Sequence, residues 1–274
     1  MKSKKDMTPT VLSVAGSDPT GGAGIQADIR TMAGIGVYGA AAVTCITVQN
    51  SRGVQQVVPL APALVARQVR AVFEDHHVTH VKIGMVGTPA IGRALGDILA
   101  EFAGEVIFDP VLAATTGQQL TDRSGLEVIR RSLLAQTTVL TPNLPELALL
   151  AAADKTAPGD PLAMARDLLA RHPRLRAVLV KGGHGTGATL TDYLVRRQSP
   201  LLTRHHRRID TLNTHGTGCI LSSAFAAYHC LGHDDDTAFT ASVRYLQRLL
   251  AENASRTIIR HPGGHGPLFH APTT

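Results

Sequence analysis

Short runs rich in Val, Ile and Leu alternate with longer segments of helical periodicity along almost the whole chain. Strands separated by helices cannot pair as hairpins. They pair in parallel and carry the helices on both faces of the sheet. The apolar runs fall at residues 10–15, 40–48, 81–84, 105–109, 137–141 and 176–181. Helical patterns fall at 23–35, 62–75, 88–102, 124–134, 145–152, 160–171, 217–231 and 237–253. In the first of these, Ile25, Ile29 and Met32 form the expected apolar face. Residues 188–195 and 200–209 read as an antiparallel pair near the end of the sheet. Asp234-Asp235-Asp236 precede the last helix, where acids cap an N-terminus and complement its dipole. The expected fold is α/β, with three α/β/α layers around a mostly parallel sheet. A single domain over residues 10–274 fits the length, preceded by a disordered tail at 1–9.

Composition excludes several function classes. No apolar run approaches the ~18 residues that cross a bilayer. The three cysteines, Cys45, Cys219 and Cys230, form no CxxC pair, so a disulfide framework or a structural zinc site is not expected and a reducing cytoplasm is. The net charge is +6 and the pI about 9.5, but the one dense basic cluster, Arg204 to Arg208, has no interleaved aromatics. It reads as a solvated edge, and no nucleic-acid partner is expected. His76 and His80 have helical i, i+4 spacing without a third ligand and read as a surface pair.

Several residues with chemical potential stand at the ends of strands: Gly16, Gly84, Asp109, Asn143 and Lys181. Open parallel sheets bind ligands beyond the carboxyl ends of their strands, so these residues converge on one crevice. The chain contains no Gly-Lys dipeptide and hence no Walker A loop, and the GxGxxG dinucleotide fingerprint fails after the first strand. Two glycine-rich stretches remain. Gly21-Gly22-Ala23-Gly24 reads either as a flexible turn at a helix start or as backbone closing over a substrate. Asn213-Thr214-His215-Gly216-Thr217-Gly218-Cys219 opens an apolar helix, where consecutive N–H groups and the helix dipole attract an anion; its plainer reading is a glycine turn with a buried cysteine.

Taken together, the motifs resemble the hydroxymethylpyrimidine/phosphomethylpyrimidine kinases of thiamine biosynthesis, within the ribokinase-like superfamily. The resemblance rests on Ala15-Gly16-Ser17-Asp18-Pro19 through Gly24-Ile25-Gln26-Ala27-Asp28, Gly36-Val37-Tyr38-Gly39, Val48-Gln49-Asn50, Lys82-Ile83-Gly84-Met85, Asp109-Pro110-Val111, Thr141-Pro142-Asn143-Leu144-Pro145-Glu146, Val180-Lys181-Gly182-Gly183-His184 and Asp210 to Cys219. It implies ATP-dependent phosphorylation of 4-amino-5-hydroxymethyl-2-methylpyrimidine, then of its monophosphate, with Mg2+, in a homodimer.

The resemblance makes Gly216, Thr217 and Gly218 the anion hole. It makes Cys219 the base, with a thiol pKa expected to be lowered at a helix N-terminus. It places Gln49 on the pyrimidine edge, with Gly16, Asp28, Met85 and Val111 around the same pocket. Asn143 and Lys181 fall on the ATP side, and Asp109 and Glu146 near magnesium. By pattern alone, Met85 is as readily a core residue, Asp28 a solvated helix acid and Glu146 a helix-start acid. The chain departs from the family after Val111, where Thr115 replaces a lid lysine; the expectation is a preference for the alcohol over the monophosphate. Pyridoxal or pyridoxine phosphorylation on the same scaffold is the nearest alternative, and a non-catalytic ligand-binding protein the more distant one.

Overall fold

The computed structural model describes residues 8–114, 117–151, 160–183, 187–261 and 263–270; Thr115 lies outside them. Among the described residues nine strands form one sheet: β1 (Thr10–Ser17), β2 (Tyr38–Asn50), β3 (Gly53–Pro59), β4 (Val78–Ile83), β5 (Glu105–Phe108), β6 (Val139–Leu140), β7 (Ala177–Val180), β8 (Thr189–Arg196) and β9 (Leu202–Arg207). Their order across the sheet is β3-β2-β1-β4-β5-β6-β7-β8-β9. The six strands from β2 to β7 in that order are parallel, and antiparallel pairs flank them at both edges. The order reverses between β1 and β4, which creates a crevice at the carboxyl ends there.

Alternate residues of each central strand feed opposite layers. Leu12, Val106, Phe108, Val178 and Val180 pack under α2 (Pro62–Asp75), α3 (Pro89–Ala100), α4 (Arg123–Val128, continued by a π turn), α5 (Leu144–Ala151) and α6 (Pro161–Arg171). Val11, Ile107, Val139, Ala177 and Leu179 face α1 (Gly24–Ile35), α7 (Thr217–Cys230) and α8 (Asp235–Asn253). Both faces are therefore covered, as the near-continuous apolar strands required.

Three readings from the sequence change. Strand β3 was not expected: its Val-Gln-Gln-Val-Val segment lies on a half-exposed edge, where there is no apolar run to recognise. The buried face of α1 is Ala27, Asp28, Thr31 and Met32, with Ile25 and Ile29 only half-buried, so it is rotated from the expected stripe. Small and polar side chains there let the helix sit close to the sheet and to α7. Finally, His76 and His80 share no helical face. The backbone turns extended at His76, which ends α2, and His80 is a buried residue of β4.

At the amino ends of the strands, remote from the crevice, His80 Nε2 lies 2.8 Å from His229 Nδ1, and His229 Nε2 lies 3.0 Å from Arg176. Arg176 also pairs with Glu105 and Asp235. Burial first, and then His229 and Arg176, pull His80 from 6.5 to about 4 against the opposing effect of Glu105. The unfolded chain therefore binds the extra proton between those values, and this contribution to stability is present above pH 6.5 and lost as the pH falls towards 4. The thermal midpoint is expected to drop across that window, and less steeply for His80→Gln. Equal slopes in differential scanning calorimetry would contradict the assignment.

Candidate active site

The crevice is a cavity of about 580 Å³ built from successive strand ends and two glycine loops. Strand β2 contributes Thr47 and Gln49 from one face. Its ladder to β3 shifts register between Val48 and Gln49, the kind of irregularity that re-aims a side chain. Gly16 follows from β1, Gly84 and Met85 from the end of β4, Asp109 and Val111 from the end of β5, Asn143 and Glu146 from β6 and the start of α5, and Lys181 from β7. Gly216, Thr217, Gly218 and Cys219 complete the wall. Of the residues expected here only Asp28 is absent from the lining. It is fully buried, bonded to Lys82, Ser13 and Ser223, because the rotation of α1 turns it inward.

The loop after β1 is organised by Asp18, a residue without an expected role. Its carboxylate accepts from Thr20 N, Ala23 N and the Thr20 hydroxyl, and its Oδ2 lies 2.8 Å from His215 Nε2. Burial alone would raise this acid, but hydrogen bonds from His215 and Gln49 outweigh it and hold the carboxyl far below the usual range. The pairing joins the loop before α1 to the loop before α7. The second loop is also held from behind, where His215 N donates to Gly266 O and Gly266 N to Leu212 O. Asp18 stands in the first family-like motif, and its local signal is an Asp two residues before a Thr, the pattern of a side chain that folds back on its own backbone. The C-terminal segment Gly263 to Pro267 resembles the family's terminal sequence, but no role was expected of it.

Gly216 caps α7 with φ +82°, and a Cβ there would lie 1.8 Å from Gly22 O. The two loops thus touch backbone to backbone. The first N–H groups of a helix lack intrahelical partners. Thr217 N reaches Thr214 O at a long 3.4 Å, which leaves the amides of Gly218 and Cys219 as the better donors for an anion. The Cys219 thiol is pushed up to about 11: burial is the main cause, Asp28 and Asp109 act the same way, and Lys82 and the Gly24 N–H oppose them. The expected lowering at the helix terminus is overridden by desolvation, and the thiol is protonated at neutral pH.

On the other side, Lys181 Nζ donates to Asp109 Oδ1 at 2.6 Å and lies 3.7 Å from Glu146 Oε2. Ser222 of α7 donates to Asp109 Oδ2 at 3.3 Å. Burial would lower Lys181, but Asp109 and Glu146 outweigh it and hold the ammonium above its ordinary range. Asn143 and Glu146 form a reciprocal cap on α5, each side chain accepting from the other's backbone N–H at 2.8 Å. Glu146 therefore keeps its structural role while facing the cavity. Two carboxylates share one ammonium, leaving a negative site of hard oxygens. This fits magnesium, which binds through one or two carboxylates, water and phosphate. Among the described residues no cluster of three or more His, Cys, Asp or Glu is placed to enclose a metal, so phosphate and water would complete the sphere.

Amide donors at a helix N-terminus, a lysine and paired carboxylates at strand ends line one cavity of a ribokinase-like α/β/α fold, a set of groups suited to a phosphorylated ligand. The family model described as phosphomethylpyrimidine kinase matches residues 18–267. The hydroxymethylpyrimidine/phosphomethylpyrimidine kinase of Rhizobium meliloti is 41% identical over 96% of this chain and 97% of its own length. A crystal structure of the phosphomethylpyrimidine kinase of Clostridium difficile superposes with a TM-score of 0.74 at 32% identity, covering 88% of this chain and 98% of that one. An ADP complex of Bacillus subtilis pyridoxal kinase gives a TM-score of 0.83 at 28% identity, covering 97% and 98%. The chain belongs to the phosphomethylpyrimidine kinase family.

Proposed function

We propose that the chain transfers the γ-phosphoryl group of ATP to the hydroxymethyl oxygen of 4-amino-5-hydroxymethyl-2-methylpyrimidine, and then a second phosphoryl group to the monophosphate, supplying the diphosphate for thiamine biosynthesis. The observation that carries this reading is the convergence of the α7 N-terminus, Lys181 and Asp109 on one cavity, in a chain that matches the family from Asp18 to Pro267.

The ring lies towards β2, β1 and β4, where Gln49 offers both a donor and an acceptor to an aminopyrimidine edge between Gly16, Met85 and Val111. Gln49→Ala is expected to raise KM for the pyrimidine alcohol about tenfold, the value of one hydrogen bond of ~1.4 kcal/mol, with kcat nearly unchanged. An unchanged KM in steady-state assays would remove Gln49 from the ring site. ATP lies towards β6 and β7, beside Asn143 and Lys181. Asp109 and Glu146 would hold magnesium, which would neutralise charge on the phosphates.

In transfer, the acceptor oxygen forms a bond to γ-phosphorus as the bond to the ADP oxygen breaks. The amides of Gly218 and Cys219, with Gly216 and Thr217 shaping the turn, stabilise charge on the moving group. Lys181 adds a point charge. Such transition states are loose and catalysis is mainly positioning, so the hydroxyl proton leaves late, onto an oxygen of the transferred phosphoryl group and from there to water, and a protonated Cys219 at the acceptor is compatible with turnover. We place the enzyme in the cytoplasm and as a homodimer. The exposed apolar residues Ile46, Val48 and Val58 on the β2–β3 hairpin support a second copy covering that face.

The test is ATP consumption with and without magnesium across the pyrimidine alcohol, its monophosphate, pyridoxal and pyridoxine, with products identified by mass spectrometry. Magnesium-dependent phosphorylation of the pyrimidine alcohol above both B6 vitamers supports the reading. Preference for pyridoxal, the activity named for the Bacillus subtilis relative, would replace it.

A further inference from the structure

Beneath the cavity floor lies an ion pair whose two residues are not part of the cavity lining. Lys82 Nζ donates to both carboxylate oxygens of Asp28 at 2.9 Å, and both side chains are 0% exposed. The Ser13 and Ser223 hydroxyls donate to the same carboxylate at 2.6 and 2.7 Å. Four elements meet at this one group: Asp28 comes from α1, Ser13 from β1, Lys82 from β4 and Ser223 from α7.

Its place in the helices gives it meaning. Asp28 stands four residues, about one turn, after Gly24, which lines the cavity. Ser223 stands one turn after Cys219. A Cβ on Gly84, which lines the cavity, would lie 3.1 Å from Lys82 Nζ, so the ammonium sits directly below the floor. Burial opposes its charge, and Asp28, Cys219 and Asp109 together hold it above the ordinary lysine range. The flanking clusters are apolar. Apolar replacement of a buried ion pair is often neutral or stabilising, so stability alone gives no reason for a charged group here.

We propose that Lys82 and Asp28 are a positioning pair for phosphoryl transfer, fixing the N-terminus of α1 against that of α7 so that the amides of Gly218 and Cys219 and the loop beginning at Gly16 converge on the same point. The pair touches neither substrate nor ATP and acts through the helices it joins. This rests on the kinase reading above.

The decisive experiment uses the full chain carrying Lys82→Met together with Asp28→Leu, and separately Ser223→Ala. Steady-state kcat, KM for the pyrimidine alcohol and the thermal midpoint are measured for each. The apolar double variant is expected to keep the wild-type midpoint or exceed it and to hold KM within about twofold. Its kcat is expected to fall at least ~10-fold, because a small misplacement of transfer groups is enough for that. Ser223→Ala leaves the ion pair intact and should lower kcat about threefold at unchanged KM, the effect of one lost hydrogen bond. It decides the matter alone if the double variant does not fold. Both kcat values within about twofold of wild type would overturn the proposal, as would a kcat loss in Ser223→Ala matched by an equal rise in KM. A wild type inactive on every ring alcohol removes the function and this proposal together, whereas an active wild type with unaffected variants removes the proposal alone.

Discussion

Replacing Gly216 by alanine is expected to lower kcat at least ~100-fold, the loss seen when one preorganised amide donor is displaced. The residue sits at φ +82°, where an L side chain is strained, and its Cβ would lie 1.8 Å from Gly22 O and 2.7 Å from Gly22 C. Backbone cannot move aside as a long side chain can. The loop before α7 must therefore retreat from the loop before α1, taking with it the His215–Asp18 contact and the amides of Gly218 and Cys219. Gly218→Ala is the internal comparison. Its Cβ meets chiefly the end of the Lys181 side chain, at 3.2 Å, which can shift, so the loss should be smaller. A coupled assay for ADP gives kcat and KM, and circular dichroism checks that the variants fold. A Gly216→Ala protein with kcat near wild type would show that the close approach of the two loops is not needed for transfer.

Lys181→Met is expected to cost both activity and stability. The ammonium is the only cation bonded to the buried Asp109 and lies between it and Glu146 among the described residues. Removing one partner of a buried pair typically costs about 3–5 kcal/mol, because the remaining carboxylates face each other with little solvent. Turnover should fall by at least ~100-fold with the lost point charge on the transferring group. Adding Glu146→Gln to Lys181→Met separates the two effects. It should recover much of the stability by removing one of the two opposed charges, and recover no turnover. Denaturant titration and steady-state kinetics on the three proteins report each quantity. Recovery of kcat in the double variant would mean that Lys181 serves the fold alone.

Much of this was legible in the sequence because it is local. Strand-helix alternation fixed the layers. Residues at strand ends could be named because a parallel sheet gathers them: Gly16, Asp109, Asn143 and Lys181 come from strands far apart in the chain and line one cavity. What was not legible depends on neighbours. Asp28 was expected on the pocket wall, but α1 is rotated by the small residues packed under it, and the acid points inward to a lysine 54 positions away. The Cys219 thiol was expected to be acidic from its place at a helix start, and burial reverses that. Asp18 and His215 are 197 residues apart, and no spacing rule joins them. Strand β3 escaped notice because an edge strand needs no apolar face.

In the proposed reaction the amides at the start of α7 hold the phosphoryl group in flight. The direct measurement is a crystal structure of the protein with the pyrimidine alcohol, ADP, magnesium and aluminium fluoride, which mimics that group. The fluorides are expected within hydrogen-bonding reach of Gly218 N and Cys219 N, at roughly 2.7–3.1 Å, with Lys181 on the same anion and the hydroxymethyl oxygen on its opposite side. An aluminium fluoride seated away from both amides, or an alcohol oxygen out of line with it, would contradict the assignment.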